Sequence, residues 1–319
     1  MPTYTKPKNT LFQQPIAFWI GCALITAGVL SHVPMFMMGW RLVGMPMTLE
    51  MWLGMALIPL GLALCCFGLL PGKLAKIASK NRDNSWHYEV ADQAGLNSEH
   101  WKLVIVLIIT VAIDVMKPAT LGFVMPGMSA EYELTRSVAG LLALVALTGT
   151  TVGSVVWGRL ADRFGRRAAI LLSALMFIGT SICGAMPSFN WNLAMCFLMG
   201  ASAGGLLPIT FTLMAETVPA RHRGWLLVAL GGIGTSAGYM IAAGAAAWLE
   251  PLFSWRILWL LGLPTGALII FLNRPGFWIR SDCIMSPDRC YRGFPEQISS
   301  LKLPTLPIPD RQAWTTLIP

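Results

Sequence analysis

Ten residues with unusual chemistry, Gly158–Arg167, read GRLADRFGRR between two long apolar stretches. They combine four arginines with a single carboxylate, Asp162, and with two glycines, Gly158 and Gly165. Asp162 and Arg166 are four residues apart, so their side chains can form an ion pair on one face of a helix. The arginines keep a short turn at the water-facing surface of a membrane, and the glycines allow close helix approach. The pattern predicts an ion-paired turn rather than a catalytic group.

A second charged segment, Glu216–Gly224, reads ETVPARHRG and follows a later apolar stretch. Pro219 predicts the end of a helix, Arg223 is placed at the lipid surface, and Gly224 frees the start of the next helix. Glu216 has two candidate partners, which are Arg223 in the same segment and the arginines of the first segment. The sequence leaves that choice open.

One carboxylate, Asp114, lies well inside an apolar stretch. A charge in that place costs about 2.5 kcal/mol or more on membrane-insertion scales, so the side chain is expected to face protein rather than lipid. Lys117 lies three residues further on, on the same helical face. One hypothesis is that Asp114 and Lys117 bind a coupling proton or a solute. The other is that they form a self-neutralising pair that only keeps the helix compatible with burial.

Glycines and prolines interrupt several apolar stretches. One apolar stretch contains Pro118, Gly122, Pro126 and Gly127. Another contains Gly200, Gly204, Gly205 and Pro208. Broken helices can line a solute path, and small residues can equally serve close helix packing. Gly149 and Gly153 precede Gly158 at similar intervals, which predicts that Gly158 extends their row along one helix contact.

Membrane-spanning helices must position these residues. The mean hydropathy is +0.63 and only 12% of the residues are charged, whereas ordinary soluble domains have about 25%. Eight apolar stretches approach the roughly 20 residues that cross a bilayer as a helix. Their predicted bounds are Ile16–Met38, Met51–Leu70, Leu103–Met125, Val138–Val156, Ala168–Ala185, Trp191–Met214, Trp225–Trp248 and Trp255–Leu272. The predicted fold class is all-α, a polytopic membrane protein with about eight transmembrane helices.

The positive charges are arranged relative to a membrane. The net charge is +8, and most of the 23 lysines and arginines fall on one side when the sides alternate from the Gly158–Arg167 turn. Arg41, Arg136 and Arg256 fall on the other side. This asymmetry follows the positive-inside rule, so the turn and both termini are expected to be cytoplasmic. We predict contact with the lipid bilayer and no nucleic-acid partner.

Catalytic and cofactor-binding patterns are missing from the sequence. The seven cysteines and four histidines have no zinc-site spacing. No glycine-rich phosphate loop precedes a Lys-Ser or Lys-Thr pair. We therefore predict no enzyme activity, no cofactor and no metal site.

The two charged segments, G-x-L-A-D-x-x-G-R-R and E-x-x-P-x-x-x-R-G, resemble the signature loops of the major facilitator superfamily, in its sugar-porter and organic-ion branches. The resemblance implies a secondary active transporter that moves a small organic solute by alternating access in a bacterial inner membrane. It also implies gating roles for the first loop and supporting roles for the second. The gating residues of the first loop would be Gly158, Asp162, Arg163, Gly165, Arg166 and Arg167. The supporting residues of the second loop would be Glu216, Pro219, Arg223 and Gly224.

A co-transported proton is a further candidate partner. In the family, an arginine associated with proton coupling often stands four residues before a glycine in the fourth span. Cys196 takes that place here, before Gly200, which weakens the case for proton symport.

The resemblance divides the chain into four parts. Residues 1–72 are expected to form two extra N-terminal transmembrane helices, and residues 73–102 a cytoplasmic linker. Residues 103–272 correspond to the N-terminal six-helix half of the family, whose two three-helix repeats have inverted topology. Residues 273–319 are rich in proline and are expected to be poorly ordered.

The family pattern stops near Arg274, as in a truncated or frame-shifted copy that lacks the C-terminal half. A second half-carrier chain is therefore another candidate partner. The alternative function is a non-transporting membrane interaction subunit or an inactive remnant.

Overall fold

The computed structural model describes residues 14–69, 96 and 98–273. Within these ranges all regular structure is helical, without strands, which confirms the predicted all-α class. The leading part contains α1 (Pro15–Leu30), α2 (Val33–Phe36), a 3-10 turn (Gly39–Leu42) and α3 (Leu49–Leu69). Most of the predicted linker, and all of the predicted tail except Asn273, lie outside the described residues.

The larger part is a helix bundle in which consecutive helices run antiparallel and are joined by short turns. Its first unit contains α4 (Ser98–Glu131), α5 (Arg136–Phe164) and α6 (Arg166–Gly179), which a 3-10 segment (Thr180–Ala185) prolongs. Its second unit contains α7 (Phe189–Thr217), α8 (Ala220–Phe253), α9 (Ile257–Leu260) and α10 (Gly262–Leu272). Because the first unit has three spanning segments, the second unit starts at the opposite end of the bundle, as in an inverted repeat.

Seven helical segments in the described ranges are long and apolar enough to cross a membrane. They correspond to the first seven predicted spans. The eighth predicted span, Trp255–Leu272, is instead the shorter apolar stretch Ile257–Leu272, divided into α9 and α10. Pro264 has no N–H to donate to the carbonyl of Leu260, which accounts for the interruption between these two helices.

The leading helices α1 and α3 pack tightly on each other through glycines. A Cβ atom added to Gly21 would meet the carbonyl oxygen of Gly61, and one added to Gly28 would meet that of Gly54. Beyond this pair, Ile58 of α3 contacts Gly179 of α6. The segment Arg166–Ala185 is 94% buried over its most apolar part, because the leading pair covers the side that the bundle leaves open.

Two helix contacts that depend on glycine connect the two units of the bundle. In the α5–α7 contact, a Cβ atom on Gly149 or Gly200 would overlap a backbone carbonyl of the facing helix. In the α4–α8 contact, Gly238 lies against the carbonyl of Ala112. The prediction that Gly158 extends the α5 row is wrong, since no atom lies within 4 Å of a Cβ added there. Trp157 contacts α7 instead, and its indole Nε1 donates to the carbonyl of Ala201 at 2.8 Å.

Candidate functional site

Arg166, at the start of α6, joins the two charged loops. Its guanidinium contacts Asp162 Oδ1 at 2.6 Å and Glu216 Oε1 at 3.0 Å. The predicted Asp162–Arg166 pair is confirmed. Glu216 had two candidate partners, and it pairs with an arginine of the first charged segment, Arg166. Arg166 thereby connects the end of α5, the start of α6 and the end of α7. We call this end of the bundle, where these three side chains meet, the signature end.

Arg167 adds a second connection at the signature end. Its Nη2 atom donates to the carbonyl of Asn273 at 2.8 Å, just beyond the end of α10. The carbonyls in the last turn of a helix carry partial negative charge, so a guanidinium is favoured there. The start of α6 is thus held to the end of α10 by one side chain.

The other predicted loop residues lie at the same end of the bundle. Pro219 is buried and immediately precedes α8, whose first turn it favours by its fixed φ. Arg223 Nη2 lies 3.4 Å from the carbonyl of Val218. Arg163 and Gly224 are exposed to solvent at the surface of the bundle.

Gly165 separates α5 from α6 through a backbone conformation that other residues rarely adopt. Its φ is 96° and its ψ is 145°, close to a region that is occupied almost only by glycine. We expect Gly165→Ala to lower the free energy of unfolding by about 1–3 kcal/mol through backbone strain alone, since the added Cβ meets no atom within 4 Å. Thermal unfolding in detergent, followed by circular dichroism, measures this loss.

Gly158→Ala is the matched control for that prediction. A Cβ atom at Gly158 also meets no atom within 4 Å, but Gly158 lies inside α5 and has no positive φ. This variant is expected to be neutral or to gain up to about 1 kcal/mol from helix propensity. Equal losses for the two variants would contradict a strained turn at Gly165.

Asp114 lies in the interior of the bundle, on α4. It is 2% exposed, and its Oδ1 atom has no hydrogen-bond partner among the described residues. The carboxyl group faces the backbone of Leu207 in α7. Burial of a carboxyl oxygen that has no hydrogen-bond partner is costly, so this side chain is a candidate for functional use rather than for stability.

Lys117 is buried equally deeply but points towards α6. Its Nζ atom donates to the carbonyl of Phe177 and, at 2.7 Å, to Thr180 Oγ1. The ammonium also lies 4.2 Å from the centre of the Phe177 ring, a cation–π contact. Within the described residues no ion pair forms between Lys117 and Asp114, so the self-neutralising pair is absent from this structure.

The glycines that interrupt the apolar stretches were given two interpretations, close helix packing and a solute path, and the structure separates three of them. Gly127 packs against the ring of Trp255, and Gly205 packs against the ring of Trp157, so both serve close packing. Gly122 is exposed and has no atom within 4 Å of an added Cβ. Of these three glycines, Gly122 keeps the interpretation as part of a solute path.

A buried ion pair at the far end of the bundle was not predicted from the sequence. Arg256 is completely buried, and its Nη2 atom lies 3.2 Å from Glu131 Oε2. Its Nη1 atom donates to the carbonyl of Gly184 at 2.7 Å. We call this end of the bundle, where Arg256 meets Glu131, the opposite end. Arg256 is one of the few cations on the sparsely charged side of the sequence, which is the signal that could have identified it.

Aromatic and amide groups complete the network at the opposite end. Trp255 Nε1 donates to Glu131 Oε2 at 2.6 Å. Tyr132 Oη donates to the carbonyl of Met186 at 2.6 Å and accepts from Asn192 Nδ2 at 3.0 Å. The end of α4 is therefore held to the segment before α7, to the first turn of α7 and to the turn after α8.

These groups are suited to binding and movement. Among the residues that the structure describes, no three His, Cys, Asp or Glu side chains are placed to hold a metal ion. Asp114 is a buried carboxyl group, and the ion pairs of the signature end are partly exposed to solvent.

The chain is similar to known transporters over slightly more than half of its length. The sequence profile described as "Major Facilitator Superfamily" matches residues 105–282. The niacin transporter NiaP of Acinetobacter baylyi is 31% identical over 177 residues, which are 55% of this chain and 40% of that protein. The 4-hydroxybenzoate transporter PcaK of the same organism is 34% identical over 172 residues, 54% of this chain and 37% of that protein.

A solved structure of the xylose transporter XylE from E. coli, in a partially occluded inward open conformation, has a similar fold. The TM-score is 0.50 at 16% sequence identity, and the match covers 60% of this chain and 54% of that chain. The chain thus spans about two fifths of the length of the two curated relatives described above. The profile match covers more than half of the chain and includes both signature loops. The chain is an integral membrane protein and belongs to the major facilitator superfamily.

Proposed function

We propose that the chain is half of a secondary carrier, which moves a small organic solute across a bacterial inner membrane by alternating access. The observation that carries this proposal is Arg166, which joins Asp162 and Glu216 and so brings both signature loops to one end of a six-segment bundle. Exposed ion pairs at helix ends are weak individually. They can therefore break and re-form as the two halves of a carrier tilt.

The solute class that we propose is an aromatic carboxylate. The relatives described above are named for 4-hydroxybenzoate and for niacin, and both compounds carry a carboxylate on a ring. Asp114 is the coupling group in this proposal, because it is a buried carboxyl group in the interior of α4 and its Oδ1 atom lacks a partner within the described residues. Lys117, held by Phe177 and Thr180, keeps α4 in place against α6.

A second half-carrier would bind to the small-residue face of the bundle. We define this face by exposed residues of α5 and α8: Gly140, Thr148, Thr151, Gly232, Ser236 and Gly244. Small and weakly polar residues favour helix–helix contact in membranes over contact with lipid. The leading pair provides an internal comparison, since its glycines in α1 and α3 are all buried.

The signature end faces the cytoplasm in this proposal. Its loops carry Arg159, Arg163, Arg166, Arg167, Arg221 and Arg223, whereas the described turns of the opposite end carry few cations. The positive-inside rule assigns such a loop to the cytoplasmic side. A reporter fused at Arg166 that proved to be extracellular would contradict this orientation.

Uptake into proteoliposomes tests the proposed function. The purified chain would be reconstituted alone and together with the C-terminal half of PcaK, and uptake of radiolabelled 4-hydroxybenzoate would be followed under an imposed pH gradient. We expect uptake above that of protein-free liposomes in the paired sample, and loss of accumulation when a protonophore collapses the gradient. Absence of both uptake and solute exchange in each sample would favour a non-transporting membrane subunit.

A further inference from the structure

The Arg256–Glu131 pair at the opposite end occupies the place that corresponds, in an inverted repeat, to the Arg166–Glu216 pair. Arg166 follows the second helix of the first unit and contacts the last turn of the first helix of the second unit. Arg256 follows the second helix of the second unit and contacts the last residue of the first helix of the first unit. Exchange of the two units by a two-fold axis in the membrane plane relates the turn at Ser254 to the turn at Gly165 and Glu131 to Glu216. Arg256 follows its turn residue by two positions and Arg166 follows its turn residue by one, so the two pairs join the same elements with arginines that are offset by one residue.

The backbone before each arginine supports this correspondence. Gly165 ends α5 with φ 96° and ψ 145°, and Ser254 ends α8 with φ 78° and ψ 161°. Each residue donates its N–H to the carbonyl four residues earlier, which belongs to Ala161 and to Glu250 respectively. A positive φ is uncommon outside glycine. Its presence at Ser254 therefore indicates a turn that the surrounding contacts hold in place.

The helix contacts α5–α7 and α4–α8 show the same two-fold relation between the units. Gly149 of α5 meets the backbone of Phe197 in α7, and Gly238 of α8 meets the backbone of Ala112 in α4. Gly149 and Gly238 precede their respective turns, at Gly165 and Ser254, by the same number of residues. The second helix of each unit thus lies on the first helix of the other unit and ends in an arginine-bearing turn.

The two pairs differ in their exposure to water. The side chains of Arg256 and Glu131 are 0% and 10% exposed, whereas those of Arg166 and Glu216 are 24% and 46% exposed. Salt screens exposed charges much more than buried ones. Removal of one partner from a buried pair also leaves an uncompensated charge, which is strongly destabilising. The opposite end is therefore fixed, and the signature end is adjustable.

We propose that Arg256 is a positioning residue, which fixes the end of α4 on the second unit through Glu131 and so sets the placement of Asp114. Its ion pair is the inverted-repeat counterpart of the signature pair. This role rests on the proposed function only where it concerns transport. The packing of the opposite end can be measured without any transported solute.

The native thiol of Cys183 reports on that packing. Cys183 is completely buried and directly precedes Gly184, whose carbonyl accepts a hydrogen bond from Arg256. In membranes containing the full chain, labelling by N-ethylmaleimide would be followed by peptide mass spectrometry. We expect Arg256→Met and Glu131→Gln each to accelerate labelling of Cys183 by about 100-fold, through local opening. Cys65, which lies in the leading pair, is expected to keep its labelling rate in both variants.

The double variant tests the pair itself. Because removal of Arg256 also removes the charge that Glu131 must neutralise, the double variant is expected to label Cys183 at about the rate of either single variant. Arg166→Gln and Glu216→Gln are the matched controls at the signature end, and are expected to change labelling of Cys183 by less than twofold. Multiplicative effects in the double variant, or equal acceleration by the controls, would overturn the proposal.

Arg256→Lys keeps the test decisive if Arg256→Met fails to fold. It retains the charge opposite Glu131 but loses the planar fork that reaches Gly184 as well. It is expected to restore protection of Cys183 to within about tenfold of the unmodified chain. Protection of Cys183 no better than in Glu131→Gln would overturn the role of the pair.

A transport measurement separates positioning from simple stability. In the sample paired with the C-terminal half of PcaK, Arg256→Lys is expected to lower the accumulation ratio of 4-hydroxybenzoate severalfold under the imposed pH gradient, while changing the rate of solute exchange by less than twofold. An unchanged accumulation ratio together with slower exchange would contradict the positioning of Asp114. Absence of uptake by the unmodified chain would count against the proposed function and leave the labelling result intact.

Discussion

Replacement of Asp114 by asparagine is expected to abolish uphill accumulation of the solute and to leave solute exchange intact. The amide has nearly the same volume but cannot bind and release a proton. Oδ1 has no hydrogen-bond partner within the described residues, so the change breaks no contact of that atom. With a pH difference of about one unit, coupling to one proton is worth about 1.4 kcal/mol, or about tenfold accumulation. The asparagine variant should give an accumulation ratio of about 1, measured with radiolabelled 4-hydroxybenzoate.

Lys117→Met is the control for this experiment. Lys117 is as buried as Asp114, but it is held by Phe177 and Thr180 and makes no ion pair with the carboxylate. Its loss should leave the carbonyl of Phe177 without that donor and lower the thermal stability, while any folded protein keeps proton coupling. Tenfold accumulation by Asp114→Asn, or selective uncoupling by Lys117→Met, would show that the wrong residue has been chosen.

Gly200→Leu is expected to prevent stable assembly of the carrier bundle. A Cβ atom at Gly200 would overlap the carbonyl oxygen of Ala146, which belongs to the backbone of α5 and cannot rotate away. Overpacking of a well-packed interior costs about 1–3 kcal/mol for small additions, and a leucine at a backbone contact should reach the upper end or exceed it. The measurement is the fraction of monodisperse protein after extraction, together with its unfolding temperature.

Gly232→Leu provides the matched control at the small-residue face. Gly232 is exposed, and an added Cβ meets no atom within 4 Å. This variant should extract and unfold like the unmodified chain, and it should lose activity only in the sample paired with a second half. Similar losses of folded protein for both variants would contradict the assignment of Gly200 to a tight helix contact.

The local features of this fold were predictable from the sequence, because they depend on neighbours along the chain. The span positions follow from the lengths of the apolar stretches, and the Asp162–Arg166 pair follows from a spacing of four residues in a helix. The partner of Glu216 was narrowed to two candidates. The choice between them needed the approach of α7 to α6, which no local pattern contains.

Features that depend on helix rotation were not predictable. Gly158 lies one residue beyond Trp157, and that single step turns it away from α7. Lys117 and Asp114 share a face in sequence, yet one reaches α6 and the other faces α7. The hydrogen bond between Trp255 and Glu131 joins residues that are 124 positions apart. Such a contact becomes visible only when the tertiary arrangement is known.

The leading pair of helices changes how the carrier bundle meets its surroundings in the bilayer. Since α1 and α3 lie over α6, annular lipids on that flank touch the added hairpin and not the carrier itself. On this flank, Ile58 meets Gly179 of α6 and Phe36 meets Gly184 of the 3-10 segment that follows α6, so changes in membrane thickness or lateral pressure reach these segments through the leading helices. The bundle is therefore covered by the leading helices on one flank and uncovered on the other. A protein neighbour can contact the bundle directly only from the uncovered flank.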